Sequence, residues 1–300
     1  KYIFVIEPGS GSGYLASDIL NSLKENYPDV YENISYILID PNKTNLGKSE
    51  EILSDHKEKV IRHKNIHALK GSFNGVVLSN EFFDALTFHR IKFKNNRPQE
   101  IYVDIDHSSF KEVLGELSSS ELKDAVYSLD TDFVEDQQIE INLNYRSVIK
   151  HISRILNKGI VLTFDYGYLK GELYSPKRFD GTYRCFHNHR ISSNPYINIG
   201  EQDITSSVNF SELIDAGKQF GLSTEKYTTQ GQFLIDWGIL DIIEKLDEKQ
   251  RSTAKNLFMP GTMGDAFKAL IQQKNMNRSF MGHYPESVLK ISYQTKEDQI

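Results

Sequence analysis

Glu7, Gly9, Gly11 and Gly13 fall in the run Val5-Ile6-Glu7-Pro8-Gly9-Ser10-Gly11-Ser12-Gly13, an E-x-G-x-G-x-G spacing. Glycines let backbone come close to a ligand, and a helix opening behind them offers free N–H groups. Dinucleotide sites use G-x-G-x-x-G, and the last glycine of that pattern is missing here. An acidic side chain two positions before the first glycine would repel a pyrophosphate. It suits a cofactor with a cationic amino-acid end, such as S-adenosylmethionine (SAM). A glycine turn without a ligand gives the same letters, so the run needs support from the rest of the chain.

A second polar group follows a short apolar run. Gly75-Val76-Val77-Leu78-Ser79 leads into Asn80-Glu81-Phe82-Phe83-Asp84, where a carboxamide and two carboxylates keep company with two phenylalanines. Asp165 ends a similar run, Gly159 to Phe164, and Asp40 ends Ile34 to Ile39. Asp40 is placed to hold ribose hydroxyls; the competing reading is a helix N-cap before Asn42-Lys43. Asp84 has the same competitor, as the cap of a helix begun at Ala85. Phe82, Phe83 and Trp237 read as core rather than as stacking surfaces.

These residues need elements to hold them. The pattern predicts a strand over 1–6, a helix over 14–26 and a strand over 34–39, then polar helix over 43–59 and a short strand near Ile66–Ala68. The strand at Gly75–Ser79 is followed by a hairpin, 88–94 with 99–106, around Asn95-Asn96-Arg97-Pro98. Residues 107–138 read as a polar insertion with one helix near 119–127, and 139–156 as a long helix. A buried strand runs from Gly159 to Gly167. The tract 168–208 has little periodicity but many rings, hydroxyls and histidines, which points to an ordered functional loop. Helix at 210–220, strand at 222–228, helix at 229–246 and strands at Ala266–Gln272 and Val288–Tyr293 complete the chain. Strands alternating with helices imply a mostly parallel α/β sheet, with ligands beyond the carboxyl ends of its strands. One domain over 1–300, with insertions at about 88–150 and 168–208, is the expected organisation.

The bulk composition narrows the function. The net charge of −6 argues against a general nucleic-acid binder. A single cysteine, Cys185, excludes an internal disulfide and cysteine-only metal sites. The histidines lack a helix-spaced pair with a carboxylate, so no metal is expected. No apolar run is long enough to span a membrane. The chain opens at Lys1 already inside a strand, so further residues are expected upstream.

Seven segments in order resemble the MidA-like class I methyltransferases, a family that includes the mitochondrial complex I assembly methyltransferase. They are the glycine loop, Ser79 to Leu86, Phe164-Asp165-Tyr166-Gly167, Gly181 to Arg190, Gly200 to Thr205, Thr229 to Ile239 and Pro260 to Lys268. The loop departs from the family's G-P-G-R-G-T at Ser10, Ser12 and Tyr14. Ser207 and Asn209 replace the His and Asp of its H-V-D-F. The family's upstream Gly-Asp-Phe segment has no counterpart in this sequence.

The resemblance implies a class I, Rossmann-like SAM-dependent methyltransferase whose acceptor is most simply an arginine guanidinium of a protein or peptide. Glu7, Gly9, Gly11, Gly13, Asp40 and Asn80 would then hold SAM. Glu81, with Asp84 second, would clamp the planar cation. Asp165 would face the same rim with Tyr166 as a wall, and His189, more than His187, would take up a proton. Another peptide residue or a small metabolite is the alternative acceptor, and a non-catalytic assembly scaffold the alternative function. The expected partner is a protein or peptide, with no nucleic acid or membrane, and a homodimer stays open. The compartment would be the cytoplasm in a bacterium and the mitochondrial matrix in a eukaryote.

Overall fold

The computed structural model describes residues 2–107, 109–187 and 190–276. The first elements are β1 (Ile3–Pro8), α1 (Tyr14–Asn26), α2 (Pro28–Glu32), β2 (Ile34–Ile39), α3 (Lys43–Ile52), β3 (Val60–His63) and β4 (Phe73–Asn80). Next come β5 (His89–Lys94), β6 (Arg97–Asp106), β7 (Ser109–Gly115), α4 (Ser120–Tyr127), β8 (Gln138–Ile141), α5 (Asn144–Ile155) and β9 (Leu156–Tyr168). The chain continues through α6 (Lys170–Leu173), β10 (Arg184–His187), β11 (Arg190–Ser192), β12 (Asp203–Thr205), β13 (Val208–Asn209) and α7 (Phe210–Gln219). It closes with β14 (Ser223–Thr229), α8 (Gln230–Asp236), α9 (Ile239–Ile243), α10 (Glu248–Lys255), α11 (Met263–Ala266) and β15 (Phe267–Lys274). No described helix is long and apolar enough to cross a membrane.

Two compact units emerge, one of 1–81, 150–166 and 217–300, the other of 82–149 and 167–216. The first is built on a sheet in the order β14-β15-β9-β4-β1-β2-β3. Neighbours are parallel except for β15, which runs antiparallel to both β9 and β14. From β1 the chain goes to β2 and β3 on one side and to β4 and β9 on the other. The loop after β1 therefore sits at the switch point, where open α/β sheets bind ligands. Val5, Ile6 and Glu7 are all buried, as a central parallel strand requires. Ala16 and Leu20, one helical turn apart, bury one face of α1 in a core with Leu38, Leu53 and Val60. Gly75 sits opposite Phe4 at φ 151°, and a Cβ there would lie 1.9 Å from the Phe4 carbonyl oxygen. Only glycine lets β4 come this close to β1.

The second unit holds an antiparallel sheet, β7-β6-β5-β8, and a three-stranded one, β11-β10-β12. Ile91, Phe93, Ile139 and Ile141 bury one side of the larger sheet against Leu122 and Val126 of α4. The last residues of β9, Gly167 and Tyr168, belong to this unit and pair with β13.

Several sequence expectations need correction. The third strand is Val60–His63, whereas Ile66–Ala68 is a 3₁₀ turn. This strand is four residues long and at the sheet edge, with Ile61 45% exposed, so it leaves no hydrophobic run to read. β7 lies inside the tract expected to carry one helix, and β8 inside the expected long helix. Residues 229–246 form two helices, because Gly238 at φ 84° ends α8. Part of the irregular tract 168–208 forms short strands, with Thr182 held by both its N–H and its hydroxyl to Glu140. The expected strand at Val288–Tyr293 lies outside the described residues.

Candidate active site

The glycine loop is tied down before any ligand is considered. Gly9 and Ser10 donate their N–H groups to the Ile39 carbonyl at 2.8 and 3.2 Å. The Asp40 carboxylate accepts the Gly11 N–H at 3.0 Å and the Asn42 N–H at 2.8 Å. Asp40 is buried and does not cap α3: that cap is Asn42, whose side chain accepts the Thr44 N–H. The helix-cap alternative for Asp40 is thereby removed, and its carboxylate instead joins the end of β2 to the loop after β1.

Gly9, Gly11 and Gly13 all have positive φ. At Gly11 a built Cβ meets nothing within 4 Å. The backbone there borders open space, as a cofactor cradle requires. The Ser10 hydroxyl is buried and has no hydrogen-bond partner among the described residues. With a carboxylate on each adjoining strand, these features fit SAM.

Glu7 is 3% exposed and accepts a hydrogen bond of 2.8 Å from the Tyr36 hydroxyl. Tyr36 carried no sequence signal of this role. The register that sets Val5 of β1 opposite Tyr36 of β2 brings it near. Burial raises the Glu7 pKa from 4.5 to about 7, against the lowering effect of that hydrogen bond. A folded-state pKa above the unfolded one favours folding only while the group is protonated. That contribution, on the order of 3 kcal/mol, is full below about pH 4.5 and lost as pH passes 7. A cationic ligand end beside Glu7 would compensate the charge. We therefore expect SAM affinity to rise roughly 5–10-fold from about pH 6 to 7.5, before the ligand's own amine titrates. Glu7→Gln should flatten that profile, weaken SAM, and raise the melting temperature of the ligand-free protein at pH 7.5. Calorimetric titrations and melting curves of both proteins would check all three.

β4 and β9 are parallel neighbours of the same sheet, and Asn80 faces Phe164 in register. Glu81 follows, its N–H bonded to the Phe164 carbonyl at 3.0 Å. Its φ is 48°, in the left-handed region that non-glycine residues avoid. Such strain, of order 1–3 kcal/mol, tends to gather at functional sites. The carboxylate is exposed, and Asn80 Nδ2 donates to it at 3.3 Å.

The other expected residues are placed differently. Asp165 does not end its strand: β9 runs on to Tyr168, and Asp165 is fully buried. Its Oδ1 accepts the Tyr166 N–H at 3.0 Å, and it pairs in register with Lys268 of β15. It therefore does not face an open rim. Asp84 belongs to the second unit, is buried, and caps no helix, since none begins at Ala85. His189 lies outside the described residues. His187 Nδ1 is bonded to the Glu201 carbonyl at 2.8 Å. Phe83 is core as expected, but Trp237 is 36% exposed and stacks on Phe233. Glu7, the glycines, Asp40, Asn80, Glu81 and Asp165 all belong to the first unit. Among the described residues, no group of three or more His, Cys, Asp or Glu is arranged to hold a metal ion.

Known proteins resemble this chain across most of its length. Residues 1–228 match the family described as "Putative S-adenosyl-L-methionine-dependent methyltransferase". The protein arginine methyltransferase NDUFAF7 homolog, mitochondrial, of Drosophila melanogaster is 23% identical, over 94% of this chain and 70% of that protein. Protein arginine methyltransferase NDUFAF7, mitochondrial, of Xenopus tropicalis is 25% identical, over 85% of this chain and 62% of the relative. A Burkholderia thailandensis protein solved with S-adenosyl-homocysteine bound superposes with a TM-score of 0.83. It is 26% identical, over 93% of this chain and 73% of that one.

Proposed function

This chain belongs to the S-adenosyl-L-methionine-dependent methyltransferase family, and from that premise we propose that its methyl acceptor is an arginine guanidinium on a protein or peptide. Support comes from two relatives that are themselves named protein arginine methyltransferases. Within this chain, the observation that carries the reading is Glu81. It is an exposed carboxylate at a strand end, held in a strained backbone conformation beside Asn80.

SAM supplies a methyl group already activated on a sulfonium, so the protein's work is positioning and electrostatics. The glycine backbone and Asp40 fix one end of the site. Glu81 presents two oxygens to a guanidinium, a planar fork of N–H donors that stays charged at neutral pH. Asn80 holds one of those oxygens in place. Methylation leaves a surplus proton on the acceptor nitrogen, which must pass to a base or to water.

The test is to incubate the protein with SAM and peptides carrying arginine, lysine, histidine or glutamine at one fixed position. Tandem mass spectrometry then locates any added methyl group. A methyl group on arginine alone is the expected result. Transfer to another side chain, or only to a small metabolite, would overturn the arginine reading.

A further inference from the structure

The second unit contains a cavity of about 630 Å³. That volume is within the range of sites that hold a small ligand or a few residues of peptide. Tyr145, Leu173 and Tyr174 provide an apolar floor, with Ser206 and Asn209 among the polar wall.

The charges at the cavity do not balance. Five carboxylates and two cations line it. Arg146 is already paired, its Nε 2.6 Å from Glu212. Glu140 accepts the Thr182 N–H and hydroxyl, both at 2.9 Å. That leaves Glu121 and Asp124 on α4 and Asp215 on α7, all exposed, against Lys170. A second observation is independent of the carboxylates. Ser206 is 2% exposed and lines the cavity. Its backbone N–H is used by the Asp84 carbonyl, but its hydroxyl has no hydrogen-bond partner among the described residues. A buried polar group left unmatched costs free energy unless something binds it.

We propose that this cavity binds a basic side chain, arginine or lysine, of the polypeptide substrate, and so recognises residues flanking the methyl acceptor. The stem of such a side chain covers the apolar floor while its charged head meets the carboxylates. The proposal rests on the reading that the acceptor is carried by a protein.

The experiment uses the full chain and the peptide acetyl-Gly-Lys-Arg-Lys-Gly-amide. The controls are the same peptide with norleucine and citrulline in place of its cationic residues, and free agmatine. Affinities are measured by calorimetry for the native protein and for the variant Glu121→Gln/Asp124→Asn/Asp215→Asn. These positions are exposed, and melting curves check the fold; Asp124→Asn and Asp215→Asn alone serve as a second set. The triple variant should bind the basic peptide about tenfold more weakly, with SAM affinity unchanged. Added salt should weaken the native interaction.

Equal binding of the peptide by native and variant protein, or of the neutral and basic peptides, would overturn the proposal. Agmatine binding as tightly as the peptide would point to a free cation and overturn the polypeptide assignment. The two readings fail separately. A peptide bound through these carboxylates but methylated nowhere on arginine removes the acceptor and keeps the cavity. Arginine methylation with the same KM in the triple variant removes the cavity and keeps the acceptor.

Discussion

Glu81→Gln should lower kcat for methyl transfer about 10²–10³-fold while SAM affinity stays within a few-fold. Loss of one preorganised electrostatic contact at a reacting centre has an effect of that size. Glutamine keeps the length of the side chain and one acceptor oxygen but not the charge that opposes a guanidinium. The backbone provides an internal control. Glu81 sits at φ 48°, where glycine fits without strain. Glu81→Gly should therefore keep stability within about 1 kcal/mol, its gain in ease at positive φ offset by its greater freedom when unfolded. Activity should still be lost. Glu81→Val should lose activity and also 1–2 kcal/mol or so, because a β-branched residue resists this conformation. Steady-state kinetics and melting curves of the three variants separate the chemistry from the strain. A collapse of SAM binding in the glutamine variant would move Glu81 into the cofactor's site and remove the clamp.

Gly11→Val should abolish measurable SAM binding, a loss of about 100-fold or more. Two effects combine. The φ of 54° disfavours a β-branched side chain, so the loop shifts, and the Gly11 N–H that Asp40 accepts shifts with it. The isopropyl group also fills the open space that borders this backbone. The ligand-free protein should still fold, since nothing lies within 4 Å of a Cβ at this position. Near-native SAM affinity in this variant would take the loop out of the site.

The parts of the fold that were legible from sequence are those where local chemistry and local structure coincide. The glycine loop closes one element and opens the next, so letters alone place it, and α1 and β2 fall at the expected bounds. β8 was hidden because Ile139 and Ile141 alternate over only four residues before Asn142 and Asn144 lead into α5. Their apolar character merges with the helical pattern that follows. β7 was hidden for another reason: Lys111 and Glu112 interrupt its apolar residues, and only pairing with β6 makes the segment a strand. At the site, Glu81 and Asp40 were visible as acids at strand ends. The strain at Glu81, the depth of Asp165 and the bond from Tyr36 to Glu7 depend on register and burial, which no short motif records.

Calorimetric titration of this chain with SAM, followed by NAD, tests the central claim most directly. Micromolar SAM affinity without NAD binding is the predicted result, since Glu7 favours a cationic ligand end and opposes a pyrophosphate. NAD binding with no response to SAM would contradict the account at its base, because the same loop would then serve a dinucleotide.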